Sequence, residues 1–234
     1  MHILLAAATT VEIQPTLDIL LNRRTDLTAA PPHRISTLIT GVGNLPTTWS
    51  LMRQIDRDRP DLIIQAGIAG SFTGKPRGYV LAVRDETLAD LGVWEDGQFR
   101  TLFDLGLADP NQPPFTVGRL INPYRSLLNL TGLELVSSVT VNEISTHPDR
   151  IAWHREKSSA VVESMEGGAL HYVGLQERIT FLQIRSISND IGIRDKSKWN
   201  ISLAIQRLND RLVRLLQELN HEDNSILNAN NDAS

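Results

Sequence analysis

PDLIIQAGIAGS, residues Pro60 to Ser71, joins a short apolar run to a pair of glycines and sets the fold class. Its apolar run is too short for a helix, so Asp61–Gln65 reads as a short strand buried in a sheet. Gly67-Ile68-Ala69-Gly70 follows directly and reads as a tight turn at the strand's carboxyl end. Working outward, His2–Ala8 is a second continuous apolar run, covered on both faces. Val11–Leu21 reads as a helix that tolerates Pro15 near its start, and Asn22–Pro32 as a loop. Ile35–Thr40 is a strand stopped by Gly41-Val42-Gly43, and Thr47–Arg57 is a helix. Further strands are expected at Val80–Val83, Leu133–Val141, Ala160–Glu163 and Ile179–Ser186, with helices at Ile151–Lys157 and Gly167–Leu175. Trp94–Asn122, rich in Pro, Gly and Asp, reads as loop and edge structure. Ile201, Ala204, Ile205, Leu208, Leu212, Leu215, Leu216 and Leu219 recur at helical spacing and define a last amphipathic helix.

Strands alternating with helices predict an α/β fold: a mixed, largely parallel sheet or barrel flanked by helices. With no repeat and no break in composition, residues 1–220 read as one domain. The polar, Asn-rich stretch 221–234 reads as a disordered tail.

Composition narrows the function. The chain has 234 residues, 41% of them hydrophobic, which fits a globular domain and excludes wholesale disorder. No apolar run approaches the ~20 residues that span a bilayer. A formal charge of −4 argues against a general nucleic-acid binder. The absence of cysteine excludes disulfides, thiolate metal sites and a Cys nucleophile, and fits a reducing compartment. MHILLAAATT has no positive segment ahead of it, so it reads as a first strand and not a secretory signal, and the protein as cytoplasmic. The six histidines show no metal-ligand spacing; His147, His154 and His171 read as surface or loop positions. No Gly-x-Ser-x-Gly elbow supports a serine hydrolase.

In α/β folds ligands sit at the carboxyl ends of strands. That nominates Thr9–Glu12, Gly41–Asn44, Gly67–Ser71, Ser188–Asp190 and the strand-to-helix passage Glu163–Gly168. Taken singly each has a bland reading. The glycines suit tight turns, the acids at 12, 163 and 166 suit helix caps or solvent, and Asn189-Asp190 suits a turn. Neither glycine turn completes a dinucleotide or triphosphate-binding motif.

Order and spacing add a resemblance. Met1–Glu12, Thr40–Gly43, Pro60–Ser71, Glu163–Gly167 and Arg185–Asn189, in this order, resemble the purine nucleoside phosphorylase superfamily, in particular its nucleosidase branch. Glu166 and Asn189 stand 23 residues apart, similar to the family's distance between ribose-binding and base-binding residues. Within that branch, Glu86–Gly92, the Asn at position 189 and Arg194–Ile201 are most similar to the futalosine hydrolases of the alternative menaquinone pathway.

The resemblance implies hydrolysis of an N-glycosidic bond with no cofactor and no metal. It implies Glu12 as the base that activates water, Glu166 on the ribose hydroxyls, Met165 against the ribose, and Asn189 on the departing purine. Backbone at Gly67, Ala69 and Gly70 would approach the purine, and Thr140 and Val141 would wall it. It also implies a small nucleoside as the ligand and a homo-oligomer, a dimer or larger. Ala6–Thr10 carries no basic residue, which favours water over phosphate as nucleophile. An ionised Asp at 189 would meet the O6 of a 6-oxopurine acceptor to acceptor, whereas Asn donates to O6 and accepts from N7–H. The implied leaving base is therefore hypoxanthine. The competing readings are a methylthioadenosine/S-adenosylhomocysteine-type nucleosidase, which Asn189 disfavours, and a non-catalytic binding relative, which Glu12 disfavours.

Overall fold

The apolar runs become strands that share one sheet. In the computed structural model, which describes residues 1–24 and 33–220, β1 (His2–Ala7) lies between β2 (Arg34–Ile39) and β3 (Leu62–Ser71), parallel to both. β3 also pairs with β10 (Thr180–Asp190) in parallel along almost its whole length. β10 continues to β4 (Val80–Leu88), β4 to β8 (Glu134–Thr140), and β8 to β9 (Val162–Ser164). β9 returns antiparallel to the end of β3. Five strands thus close into a barrel, from which β1 and β2 extend as a sheet. A short hairpin of β5 (Gly92–Glu95) and β6 (Gln98–Thr101), and β7 (Leu120–Ile121) on β4, build the middle region expected to hold loop and edge structure.

Helices cover the sheet: α1 (Thr10–Arg24), α2 (Asn44–Arg57), α3 (Arg125–Leu130), α4 (Pro148–Lys157), α5 (Gly167–Glu177) and α6 (Ile201–Leu219). Leu208, Leu212, Leu215, Leu216 and Leu219 of α6 join Ile3, Leu5, Ile64 and Ile184 in the main core. Ala69, Leu81, Val83, Val136, Val162 and Ile187 form a second cluster among the barrel strands. Among the described residues no helix is long and apolar enough to cross a membrane. The expected tail lies outside the described residues, as does most of the loop expected before β2; the helix before it runs on to Arg24.

Three expectations change. The Gly67–Gly70 segment is no turn: β3 runs through it to Ser71, because β10 pairs with one of its edges and β9 takes up the other at Gly70. β4 likewise extends five residues past Val83, carrying Glu86 into the barrel wall. His154 and His171 are buried in α4 and α5, while His147 stays at the surface.

One buried polar residue ties the ends of the chain together. Pro15 sits inside α1, where its ring disturbs the backbone ladder. The side chain of Asn209 from α6 enters there. Its Oδ1 accepts from the N–H and the hydroxyl of Thr16, at 3.0 and 2.6 Å, and its Nδ2 donates to the Glu12 carbonyl at 2.8 Å. Asn209→Ala leaves these groups without their partner. The expected cost is about 1–3 kcal/mol, or roughly 2–12 °C in Tm for a chain of this size, read by thermal denaturation.

Candidate active site

Glu12 is the third residue of α1, and helix capping fixes its side chain. Its Oε2 accepts from the N–H and the hydroxyl of Thr9, both at 3.0 Å, one half of a capping box. Its Oε1 accepts from Ile68 N–H at 3.1 Å, across on β3. The carboxylate is buried and oriented at both oxygens. Gly67 makes this approach possible. A Cβ there would stand 2.8 Å from Glu12 Oε1 and 2.3 Å from Arg185 Nη1.

Arg185, on β10 opposite Gly67, is 1% exposed. Its Nη2 donates to Gln65 Oε1 at 2.9 Å and its Nη1 to Glu166 Oε2 at 3.5 Å; Nε finds no partner among the described residues. Glu166 is the N-cap of α5, where the helix dipole favours an anion. Its Oε1 accepts from Gly43 N–H at 3.1 Å. Gly43, at φ +100° ahead of α2, holds a backbone conformation that side-chain-bearing residues rarely adopt. Glu12, Gly67 and Glu166 therefore meet around Arg185, an arginine to which the sequence alone gave no role. Its signal was present: a charge inside the apolar run FLQIRSIS, two residues after Gln183.

Behind this group lies a second polar layer. Fully buried Glu86 accepts from Gln183 Nε2 and from the Thr140 hydroxyl, both at 2.9 Å, and Thr140 Oγ1 accepts from Gly168 N–H at 2.7 Å. Burial pushes the Glu86 carboxyl up to about 7, against these donors and the charge of Arg185. A Cβ on Gly167 would lie 2.0 Å from Glu86 Oε1. The first turn of α5, with Glu166 at its head, thus rests directly on this carboxyl. His171 is buried nearby with its Nδ1 2.9 Å from the Leu120 carbonyl, and burial pushes its ring down to about 4, as it does for His154.

Asn189 stands further along the same ladder, opposite Gly70, after an irregularity at Ser188. Its Oδ1 accepts from the Ser188 hydroxyl at 2.8 Å and its Nδ2 donates to the Asp190 carbonyl at 3.0 Å. Asp190 is itself held by Arg77 through two bonds of 2.9 and 2.7 Å. Gly70 keeps the space beside Asn189 free of a side chain of its own: a Cβ would stand 3.4 Å from Asn189 Nδ2 and 2.7 Å from Ile191 Cγ1. Ala69 packs into the barrel cluster with Ile187. Val141 lies buried with Phe72, Ala89 and Val139, and Met165 is half-buried between β9 and α5. Glu163 is also buried, neither capping a helix nor facing solvent. Its Oε1 accepts from Ser145 N–H at 3.1 Å, and burial, reinforced by Asp90, raises its carboxyl. Among the described residues no three His, Asp or Glu side chains gather as a metal-binding group.

No family model matches the chain. It is 28% identical over 191 residues to the futalosine hydrolase of Thermus thermophilus, covering 77% of this chain and 80% of that protein. With the futalosine hydrolase of Acidothermus cellulolyticus it shares 29% over 176 residues, 73% of this chain and 70% of that one. The fold is similar to that of a 5′-methylthioadenosine/S-adenosylhomocysteine nucleosidase of Colwellia psychrerythraea solved in complex with adenine. The TM-score is 0.74 at 17% identity, over 94% of this chain and 96% of that one. A mixed sheet closing into a barrel, the order of the strand-end motifs and these likenesses agree: the chain is similar in sequence to futalosine hydrolases and shares the fold of the methylthioadenosine/S-adenosylhomocysteine nucleosidases.

Proposed function

We propose that the protein hydrolyses the N-glycosidic bond of futalosine and releases hypoxanthine. The observation that carries this reading is the β3–β10 ladder. It sets the Glu12–Arg185–Glu166 group at Gly67 and Asn189 at Gly70, three residues or ~10 Å along one strand. Both groups stand at the carboxyl ends of two parallel strands, where α/β folds bind ligands, and a nucleoside held there has its ribose at the first group and its base at the second.

In this reading water is held beside Glu12, with the Arg185 guanidinium opposite. Glu12 takes a proton from the water as its oxygen attacks C1′. The C1′–N9 bond breaks, its electron pair goes to the purine, the purine takes up a proton at N7 from solvent, and Glu12 returns the proton it took to solvent. Glu166 accepts from the ribose hydroxyls, and its charge favours the developing oxocarbenium ion. Met165 packs on the ribose. Backbone at Gly67, Ala69 and Gly70 approaches the purine, and the end of β8 at Thr140 and Val141 walls it. Asn189 donates to O6 and accepts from the new N7–H. The basic group of the site is already held by Gln65 and Glu166, which favours water over phosphate as the nucleophile. Val11, Val42, Leu45 and Trp49, exposed by 54 to 81% beside Glu12 and Gly43, support a homo-oligomer, since apolar side chains gathered at a surface mark interfaces.

Hypoxanthine release from futalosine by the purified protein tests the activity, and two variants test the roles. Glu12→Gln keeps the size of the side chain, gives up one of the two backbone N–H bonds at a modest cost in stability, and should stay folded while losing about 10²–10⁴-fold in kcat; activity within about threefold of the parent removes Glu12 as the base. Asn189→Asp should lose futalosine hydrolysis, with a defect that shrinks as pH falls and the new carboxylate protonates. The ratio of kcat/KM for futalosine to that for its 6-amino analogue should move toward the amino substrate. An unmoved ratio means that residue 189 does not read the base.

A further inference from the structure

Two buried atoms on neighbouring elements have no hydrogen-bond partner among the described residues: Oε1 of Gln183 on β10 and Nε2 of His171 on α5. Both residues are fully buried. Burial keeps the His171 ring neutral at pH 7, and its Nδ1 lies 2.9 Å from the Leu120 carbonyl. The one ring proton therefore sits on Nδ1, and Nε2 is a bare acceptor. The Gln183 side chain lies against this ring and bears on its protonation. With Gln183 Nε2 turned to Glu86 Oε1 at 2.9 Å, the amide has only its oxygen left, a second acceptor. Buried acceptors without a donor require an explanation.

One proton on Glu86 satisfies them all. The acid donates from Oε1 to Gln183 Oε1, with the amide turned end for end, and Gln183 Nε2 then donates to His171 Nε2. Glu86 Oε2 still accepts from the Thr140 hydroxyl at 2.9 Å, and Thr140 Oγ1 from Gly168 N–H at 2.7 Å. The bonds run from Gly168 through Thr140, Glu86 and Gln183 to His171. They leave α5, cross β8, β4 and β10, and return to α5 about one turn later. Glu166 heads that helix and holds Gly43 N–H and Arg185.

Resting on the hydrolysis proposed above, we infer that Glu86 is a positioning residue, a neutral acid that clamps the first turn of α5, and so Glu166, to the barrel. Ionisation opens the clamp. Gln183 Nε2 then turns to the Glu86 carboxylate, His171 loses its donor, and a second carboxylate competes with Glu166 for Arg185. The charged and titratable groups around Glu86 are Arg185 on β10, His171 and Glu166 on α5, and Asp85 beside it on β4, itself held by Arg84 and Arg119. Its neighbours Ser138 and Thr140 on β8 and Leu120 on β7 bring no charge. Arg185 favours the ionised form, but burial outweighs it and pushes the carboxyl up to about 7.

Glu86→Gln copies the neutral acid, since its NH₂ donates to Gln183 Oε1 and its oxygen accepts from Thr140. The parent's kcat for futalosine should fall about tenfold from pH 6 to 8 as the carboxyl ionises, and the variant's should hold. Stability gives a reading that needs no substrate. A carboxyl raised on folding contributes stability that is complete in acid and lost as pH rises through about 7. The Tm of Glu86→Gln should therefore gain on the parent's between about pH 5 and 7 and keep a constant lead above that. The same alkaline fall in both proteins, or a Tm difference that does not move with pH, overturns the proposal. Should the variant fail to fold, infrared difference spectra of the parent between pH 6 and 8 decide, with Glu163→Gln removing the other raised carboxyl. Loss of one neutral-carboxyl C=O band at pH 8 in both proteins supports the proposal, and no such band overturns it. A parent that hydrolyses no nucleoside defeats the futalosine reading, while the Tm and infrared readings still decide whether Glu86 is the neutral clamp on α5.

Discussion

A guanidinium buried to 1% exposure is tolerated only where opposite charge and hydrogen bonds replace water. Arg185 meets that requirement through Glu166 and Gln65, and much of the site follows from it. Gly67 must lack a side chain because Arg185 Nη1 and Glu12 Oε1 approach the place a Cβ would occupy. Glu166 must arrive at the head of a helix, and that helix must sit close to the sheet, so Gly167 and Gly168 begin α5 directly above Glu86 and Thr140. The cation thus specifies the two carboxylates beside it as much as they stabilise the cation.

Much of the fold was legible because its signals are local. The runs at His2–Ala8 and Ile179–Ser186, and the leucine stripe of α6, have one reading each once length and period are counted. The segment Gly67–Gly70 was misread for a physical reason. Glycine in a strand and glycine in a turn look alike in sequence, and what separates them here is Arg185, 118 residues away, approaching the backbone from β10. His171 and Glu86 were equally illegible as buried groups, since their burial depends on strands and helices distant along the chain. Glu12, Glu166 and Asn189 were nominated by strand ends, and the resemblance supplied their roles. Arg185 lies inside the Arg185–Asn189 segment that carries the resemblance yet has no role legible there, because nothing in the local sequence shows what it faces.

The β3–β10 ladder also explains how a small barrel divides its labour. Parallel pairing places Gly67 beside Arg185 and Gly70 beside Asn189, so the ionic group and the Asn189 amide hold their separation without a loop between them. Sites built on strands keep positions more tightly than sites on loops. The irregularity at Ser188 falls between the two groups and re-aims Asn189 without moving Arg185. α6 adds a tie from the far end of the chain: Asn209 grips the Glu12 carbonyl, so the carboxylate that would activate water is held by its side chain and its backbone at once.

In the proposed reaction, water activated beside Glu12 is the group that enters at C1′. Its most direct test is turnover of futalosine in ¹⁸O-water, with and without phosphate, followed by mass spectrometry of both products. The expected result is one ¹⁸O atom on the C1 hydroxyl of the released sugar portion, none in hypoxanthine, and the same rate without phosphate. A sugar 1-phosphate formed only when phosphate is present, or hypoxanthine carrying the label, would contradict it.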